Sequence, residues 1–229
     1  MFCLKRVPYD YSGLRLSRLK EPRFSHITLL LTTWGIYFLL FLLTENLIPA
    51  ERCYPVHCGL DDIMVFNEYF VIFYVGWYLL VVGSLAYYFF YDVRRFRELD
   101  LYIFVTQMVA MTCYILFPTR QDLRPEVFPR ENVFTAIMGL IYFFDTNTGV
   151  CPSLHVGYSL AILSVICKDK QVNLLWKVLV FVLVVMISLS TAFVKQHSMV
   201  DVFAAIPTAL IGEWLIYHCK PFRKKFIEV

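Results

Sequence analysis

The chain has 229 residues, 59% of them hydrophobic and 17% charged, with a mean hydropathy of +0.62 and a formal net charge of +3. A soluble domain of this length carries about 25% charged residues, so the composition excludes an ordinary water-soluble enzyme. Its cations flank apolar runs instead of forming a basic strip interleaved with aromatics, so no nucleic-acid partner is expected.

A transmembrane helix needs about 20 mostly apolar residues. Six runs approach that length, at 25–44, 63–91, 99–117, 153–167, 174–194 and 198–218, and they predict an all-α integral membrane bundle. Residues 1–24 read as a basic tail, 25–218 as the membrane domain and 219–229 as a second basic tail. The first run follows six cations, as a signal peptide would, but Glu45-Asn46-Leu47-Ile48-Pro49 offers no small-x-small cleavage site. It reads as a retained signal anchor. The loop after it holds Cys53 and Cys58, which could pair in an oxidising compartment. Residues 118–152 separate the third and fourth runs, starting with the proline-bounded loop Pro118-Thr119-Arg120-Gln121-Asp122-Leu123-Arg124-Pro125. From Asn132 to Phe144 the chain becomes apolar again, too briefly to span, which predicts an interfacial or re-entrant helix. The fourth run is the shortest of the six.

Cation distribution sets the expected orientation. With the amino terminus inside, 16 of the 21 Lys and Arg fall in segments on the inner side. The outer side holds Arg52, Arg120, Arg124, Arg130 and Lys195. That asymmetry predicts both termini in the cytoplasm. It also sets the outer cations apart, because three of them lie in or beside polar clusters that this topology brings to one membrane face.

Those clusters are the 120–125 loop, the helix start Pro152-Ser153-Leu154-His155 and the turn Lys195-Gln196-His197. Ionisable groups are costly at membrane depth and mark functional sites by default. His197 and Asp201 are four residues apart, on one face of a helix. A carboxylate bonded to one imidazole nitrogen orients the ring and makes the other nitrogen a better nucleophile. His197 backed by Asp201 would attack phosphorus, and His155 would protonate the departing oxygen. Arg124 and Arg120 are planar forks that match phosphate oxygens. Ser153 adds a hydroxyl, Lys195 a point charge, and the helix start free backbone amides. Phosphoryl transfer requires mainly positioning and charge neutralisation. The seven cysteines have no metal-ligand spacing, and neither a metal nor another cofactor is expected.

The pattern resembles the type-2 phosphatidic acid phosphatase superfamily of lipid phosphate phosphatases. Its signature is a Lys, six residues, then Arg-Pro; Pro-Ser-Gly-His; and Ser-Arg, five residues, His, three residues, Asp. Arg124-Pro125, Pro152-Ser153-x-His155 and Ser190 with His197 and Asp201 match in order and spacing. The departures are Phe117 for the first Lys, Leu154 for Gly and Thr191 for Arg. The resemblance implies a metal-independent hydrolase that forms a phosphohistidine on a lipid phosphate or pyrophosphate, with Ser190 among the phosphate-binding residues. The cation asymmetry places the expected site on the extracytoplasmic face, and the plasma membrane is the expected location. Some members instead move a phospho-head-group onto an alcohol, as inositol phosphorylceramide synthases and the related sphingomyelin synthases do. A lipid-binding scaffold or a transporter is the non-enzymatic alternative.

Overall fold

A computed structural model describes residues 6–19 and 21–228; the expected tails at 1–24 and 219–229 lie partly outside them. Regular structure is almost entirely helical, in the order α1 (Ser25–Leu47), α2 (Gly59–Ile63), α3 (Val71–Tyr91), α4 (Val93–Leu116), α5 (Val133–Phe144), α6 (Leu154–Lys168), α7 (Leu174–Phe193), α8 (Met199–Glu213) and α9 (Lys220–Phe226). A π-helical turn, Trp214–His218, extends α8. Two dipeptide strands, β1 (Tyr54–Pro55) and β2 (Thr119–Arg120), pair in parallel.

Five helical stretches are long and apolar enough to cross a membrane: Pro22–Leu47, Glu68–Tyr91, Val93–Leu116, Leu174–Phe193 and Met199–His218. The remaining expected span corresponds to α6, whose 15 residues rise only about 22 Å against a hydrocarbon core of ~30 Å. Its surroundings account for the shortness. Tyr158, Ala161, Ile162, Val165 and Ile166 are buried where α6 packs against α3, α4, α7 and α8. A helix covered by protein on most sides has little lipid-facing surface to match to the bilayer.

Two predicted boundaries move for identifiable reasons. Of the 63–91 run only Ile63 lies in α2; an irregular stretch and a 3₁₀ turn, Glu68–Phe70, lead into α3. Asn67 caps that 3₁₀ turn: its side chain accepts from the Tyr69 N–H at 3.1 Å, and its own N–H reaches the Phe193 carbonyl at 3.0 Å. At the other end of the bundle α4 starts at Val93, six residues before the apolar run. The Asp92 side chain caps it through the Arg95 N–H at 3.0 Å. Arg95 and Glu98 then pair at 2.6 Å across one turn, which makes a charged first turn acceptable.

Inside α4, Asp100 is fully buried and accepts from the Thr33 hydroxyl at 3.0 Å and the Trp34 indole N–H at 3.1 Å, tying α4 to α1. Arg6 lies between Asp92 at 2.8 Å and Asp169 at 2.9 Å, so the amino-terminal segment is fastened to the bundle. Cys53 and Cys58 are both free thiols: Cys53 donates weakly to the Pro49 carbonyl at 3.6 Å, while Cys58 caps α2.

Candidate active site

The turn between α7 and α8 is built by backbone bonds. The Thr191 carbonyl accepts both the Gln196 and the His197 N–H at 3.0 Å, and Lys195 adopts φ +55°, in the left-handed region. This tight reversal satisfies carbonyls at the end of α7 and projects His197 inward. Ser198 then caps α8, accepting from the Val200 N–H at 3.1 Å.

His197 is 8% exposed, and its Nδ1 lies 3.2 Å from Asp201 Oδ2. A carboxylate only accepts, so Nδ1 is the donor here, and in the neutral ring Nε2 keeps its lone pair. The same Asp201 oxygen accepts from the Ser198 N–H at 3.0 Å. Across the site, the Ser153 N–H donates to the Asp201 carbonyl at 3.1 Å, joining the start of α6 to α8. Two residues on, the ring of His155 lies 5.6 Å from that of His197, centroid to centroid. His155 is held between Trp77 at 4.2 Å and Tyr74 at 4.5 Å, and its buried Nε2 has no hydrogen-bond partner among the described residues. The Ser153 hydroxyl is likewise buried without a partner.

Both histidines line a cavity of about 610 Å³. Its walls include Trp34, Tyr37 and Phe41 of α1, Trp77 and Tyr78 of α3, and Tyr158 of α6. The helices α1 and α3 both pack along α4, and the cavity fills the space between them. Glu45 and Asp145 also line it; among the described residues no Lys or Arg does.

The expected cations are therefore near the cavity without forming its wall. The Arg124 guanidinium is occupied by the carbonyls of Tyr142 at 3.2 Å, Asp145 at 3.0 Å and Thr146 at 2.8 Å, and by Gln196 Oε1 at 2.6 Å. It also stacks over the Tyr142 ring at 4.6 Å. Arg124 thus joins the end of α5 to the His197 turn. Gln196 Nε2 completes the link by donating to Asp145 Oδ2 at 3.1 Å. Arg120 sits on β2, in a strip flanked by β1 and by Thr148, and pairs with Asp122 at 3.1 Å. Lys195 turns away to the Asp61 carbonyl at 2.8 Å. Ser190 is buried and donates to the Ile187 carbonyl at 2.7 Å within its own helix. The structure thus brings together His155, His197, Asp201 and Ser153, of which the two histidines line the cavity, holds Arg124 behind the His197 turn, and leaves Arg120, Lys195 and Ser190 with partners elsewhere.

Asp61, Glu45, Asp145 and Gln196 belong to the site or its support and stand in no motif. Only Gln196, beside His197, had a positional signal. No family model, curated protein or solved structure matches the chain.

Proposed function

We propose that the protein is a membrane enzyme of phosphoryl transfer, acting on a lipid phosphate through a phosphohistidine at His197. One observation carries the reading: His197, with Nδ1 held by Asp201, presents Nε2 to an aromatic cavity that His155 also lines. Nε2 attacks phosphorus, the bond to the leaving oxygen breaks, and His155 in its protonated form gives that oxygen a proton. Water, deprotonated by the now neutral His155, then releases phosphate from His197. The free N–H groups at the start of α6 and the Ser153 hydroxyl supply donors for the phosphate oxygens. The arrangement agrees with the resemblance to type-2 phosphatidic acid phosphatases. In that reading α6 completes a six-helix bundle with both termini in the cytoplasm and the histidines on the outer face.

Glu45 and Asp145 favour a second reading. With two carboxylates on its wall and no Lys or Arg there among the described residues, the cavity suits a singly charged phosphodiester better than a doubly charged monoester. The acceptor would then be an alcohol, and the reaction the transfer of a phospho-head-group.

Purified protein in detergent micelles separates the two. Phosphate released from phosphatidic acid, with acid-labile label on His197, supports hydrolysis. Diacylglycerol formed from a phosphodiester lipid only when ceramide is added supports transfer. Neither product from either lipid would sink the reading as an enzyme.

A further inference from the structure

Asp61 lies 137 positions before Ser198, in the short helix α2 of the first loop, and is 3% exposed. Every polar atom it offers is used, and three of its four partners lie in the histidine turn. Oδ1 accepts the Met199 N–H at 2.8 Å, at the open start of α8. Oδ2 accepts the Ser198 hydroxyl at 2.5 Å and the Cys58 N–H at 2.8 Å. Its carbonyl accepts Lys195 Nζ at 2.8 Å.

The consequence is geometric. Lys195 is held on one side of the Gln196-His197 pair, and Ser198 with Met199 on the other, by one residue from a distant part of the chain. Lys195 occupies the left-handed region, which a residue with a Cβ adopts only when its surroundings impose it. The carboxylate also faces the positive end of the α8 dipole, where an anion is favoured. Burial opposes ionisation of Asp61, but the bonds from Ser198, Met199 and Cys58 outweigh it and hold the carboxyl below its usual range. Burial in turn pulls the Lys195 ammonium below its usual range, against the attraction of Asp61 and Asp62.

We infer that Asp61 is the positioning residue for His197: it clamps both ends of the turn, so that the His197 ring meets Asp201 and the cavity in one orientation. The role as a positioning residue for catalysis rests on His197 being the nucleophile; the clamp itself is independent of that reading. Asparagine at this position keeps the shape but leaves one oxygen for three donors. Ser198→Ala provides a milder variant: it removes the hydroxyl bond to Asp61 and the bond from the Val200 N–H, and keeps the carboxylate.

The test is side-chain NMR of the full chain, labelled with ¹⁵N-histidine in detergent micelles, alongside turnover of phosphatidic acid. The chain has five histidines. In Asp61→Asn the His197 signals should move while those of His26 and His218 stay. Ser198→Ala should shift His197 the same way by less. The kcat on phosphatidic acid should fall on the order of 10²-fold with KM unchanged. Unchanged His197 signals in a folded variant would overturn the inference, as would movement of all five histidines together. Should Asp61→Asn fail to fold, Ser198→Ala decides alone. A selective His197 shift without any phosphohistidine in the wild type would support the clamp and sink the phosphoryl-transfer reading.

Discussion

The Asp201 oxygen that accepts from His197 also accepts from the Ser198 N–H, so orientation of the ring and closure of the first turn of α8 share one atom. Asp201→Asn should therefore lower the rate of phosphohistidine formation and only slightly lower the thermal midpoint, because an amide oxygen still accepts from Ser198. Stopped-time labelling together with a melting curve measures both. His155→Ala should reduce turnover by about 10²–10⁴-fold, the usual share of a general acid. A leaving group of low pKa, such as p-nitrophenol, should restore much of it. Arg124→Lys keeps the charge but replaces a fork making four bonds with one ammonium. It should lower stability and turnover together, whereas a residue that only binds phosphate would lower turnover alone. Asp61 gives a pH signature. Its carboxyl is held below the usual value of about 3.9, so its contribution to stability is complete above that pH and is lost as pH falls through the lowered value. In acid titrations followed by tryptophan fluorescence, Asp61→Asn should flatten that loss.

The histidines and Asp201 were legible because a spacing of four along a helix and a position at a helix start fix where side chains point. Arg120 and Lys195 were not. Their direction depends on which loop strip pairs with which, and on a left-handed residue that no local signal at lysine announces. Glu45 and Asp145 reach the same cavity from positions a hundred residues apart, a coincidence made only by the tertiary fold, in which the Thr146 hydroxyl donates to Glu45 at 2.7 Å.

Elements are positioned by a few close approaches. A Cβ built on Gly212 would fall within the Tyr102 ring, and one on Gly157 within contact of the Thr106 methyl. Tyr102 has little room to yield, because its hydroxyl is bonded to the Ala209 carbonyl at 2.7 Å. Gly212→Ala should then cost about 1–3 kcal/mol, the usual range for overpacking, and Gly157→Ala less, since a threonine can change rotamer. Thermal midpoints in detergent give the order. Most helices follow their apolar runs to within a few residues, since burial in lipid or protein is what makes those runs helical. The exceptions have local causes: the Asp92 cap extends α4 into charged sequence, and Asn67 divides α3 from α2. Nothing in hydropathy foretold Asp100, because a buried carboxylate is tolerated only through Thr33 and Trp34 on another helix.

For the molecule as a whole, orientation is open to direct measurement. Single cysteines introduced at Glu126 and Lys170, in a chain whose native cysteines are replaced, should react with an impermeant thiol reagent from opposite sides of the membrane. The proposed topology exposes position 126 outside. Reaction of both from one side would require a different number of crossings.

The gap between α1 and α3 bears on how such a protein would meet its substrate. On the proposed reading, a chamber walled by Trp34, Tyr37, Phe41, Trp77 and Tyr78 between α1 and α3 would be filled from the plane of the bilayer rather than from bulk water. Occupancy is then governed by crowding in two dimensions. On the proposed reading, adding neutral detergent at constant total phosphatidic acid should slow turnover in proportion to the falling surface mole fraction. Adding more micelles of unchanged composition should leave it nearly constant. A dependence on bulk concentration alone would mean that the chamber fills from water.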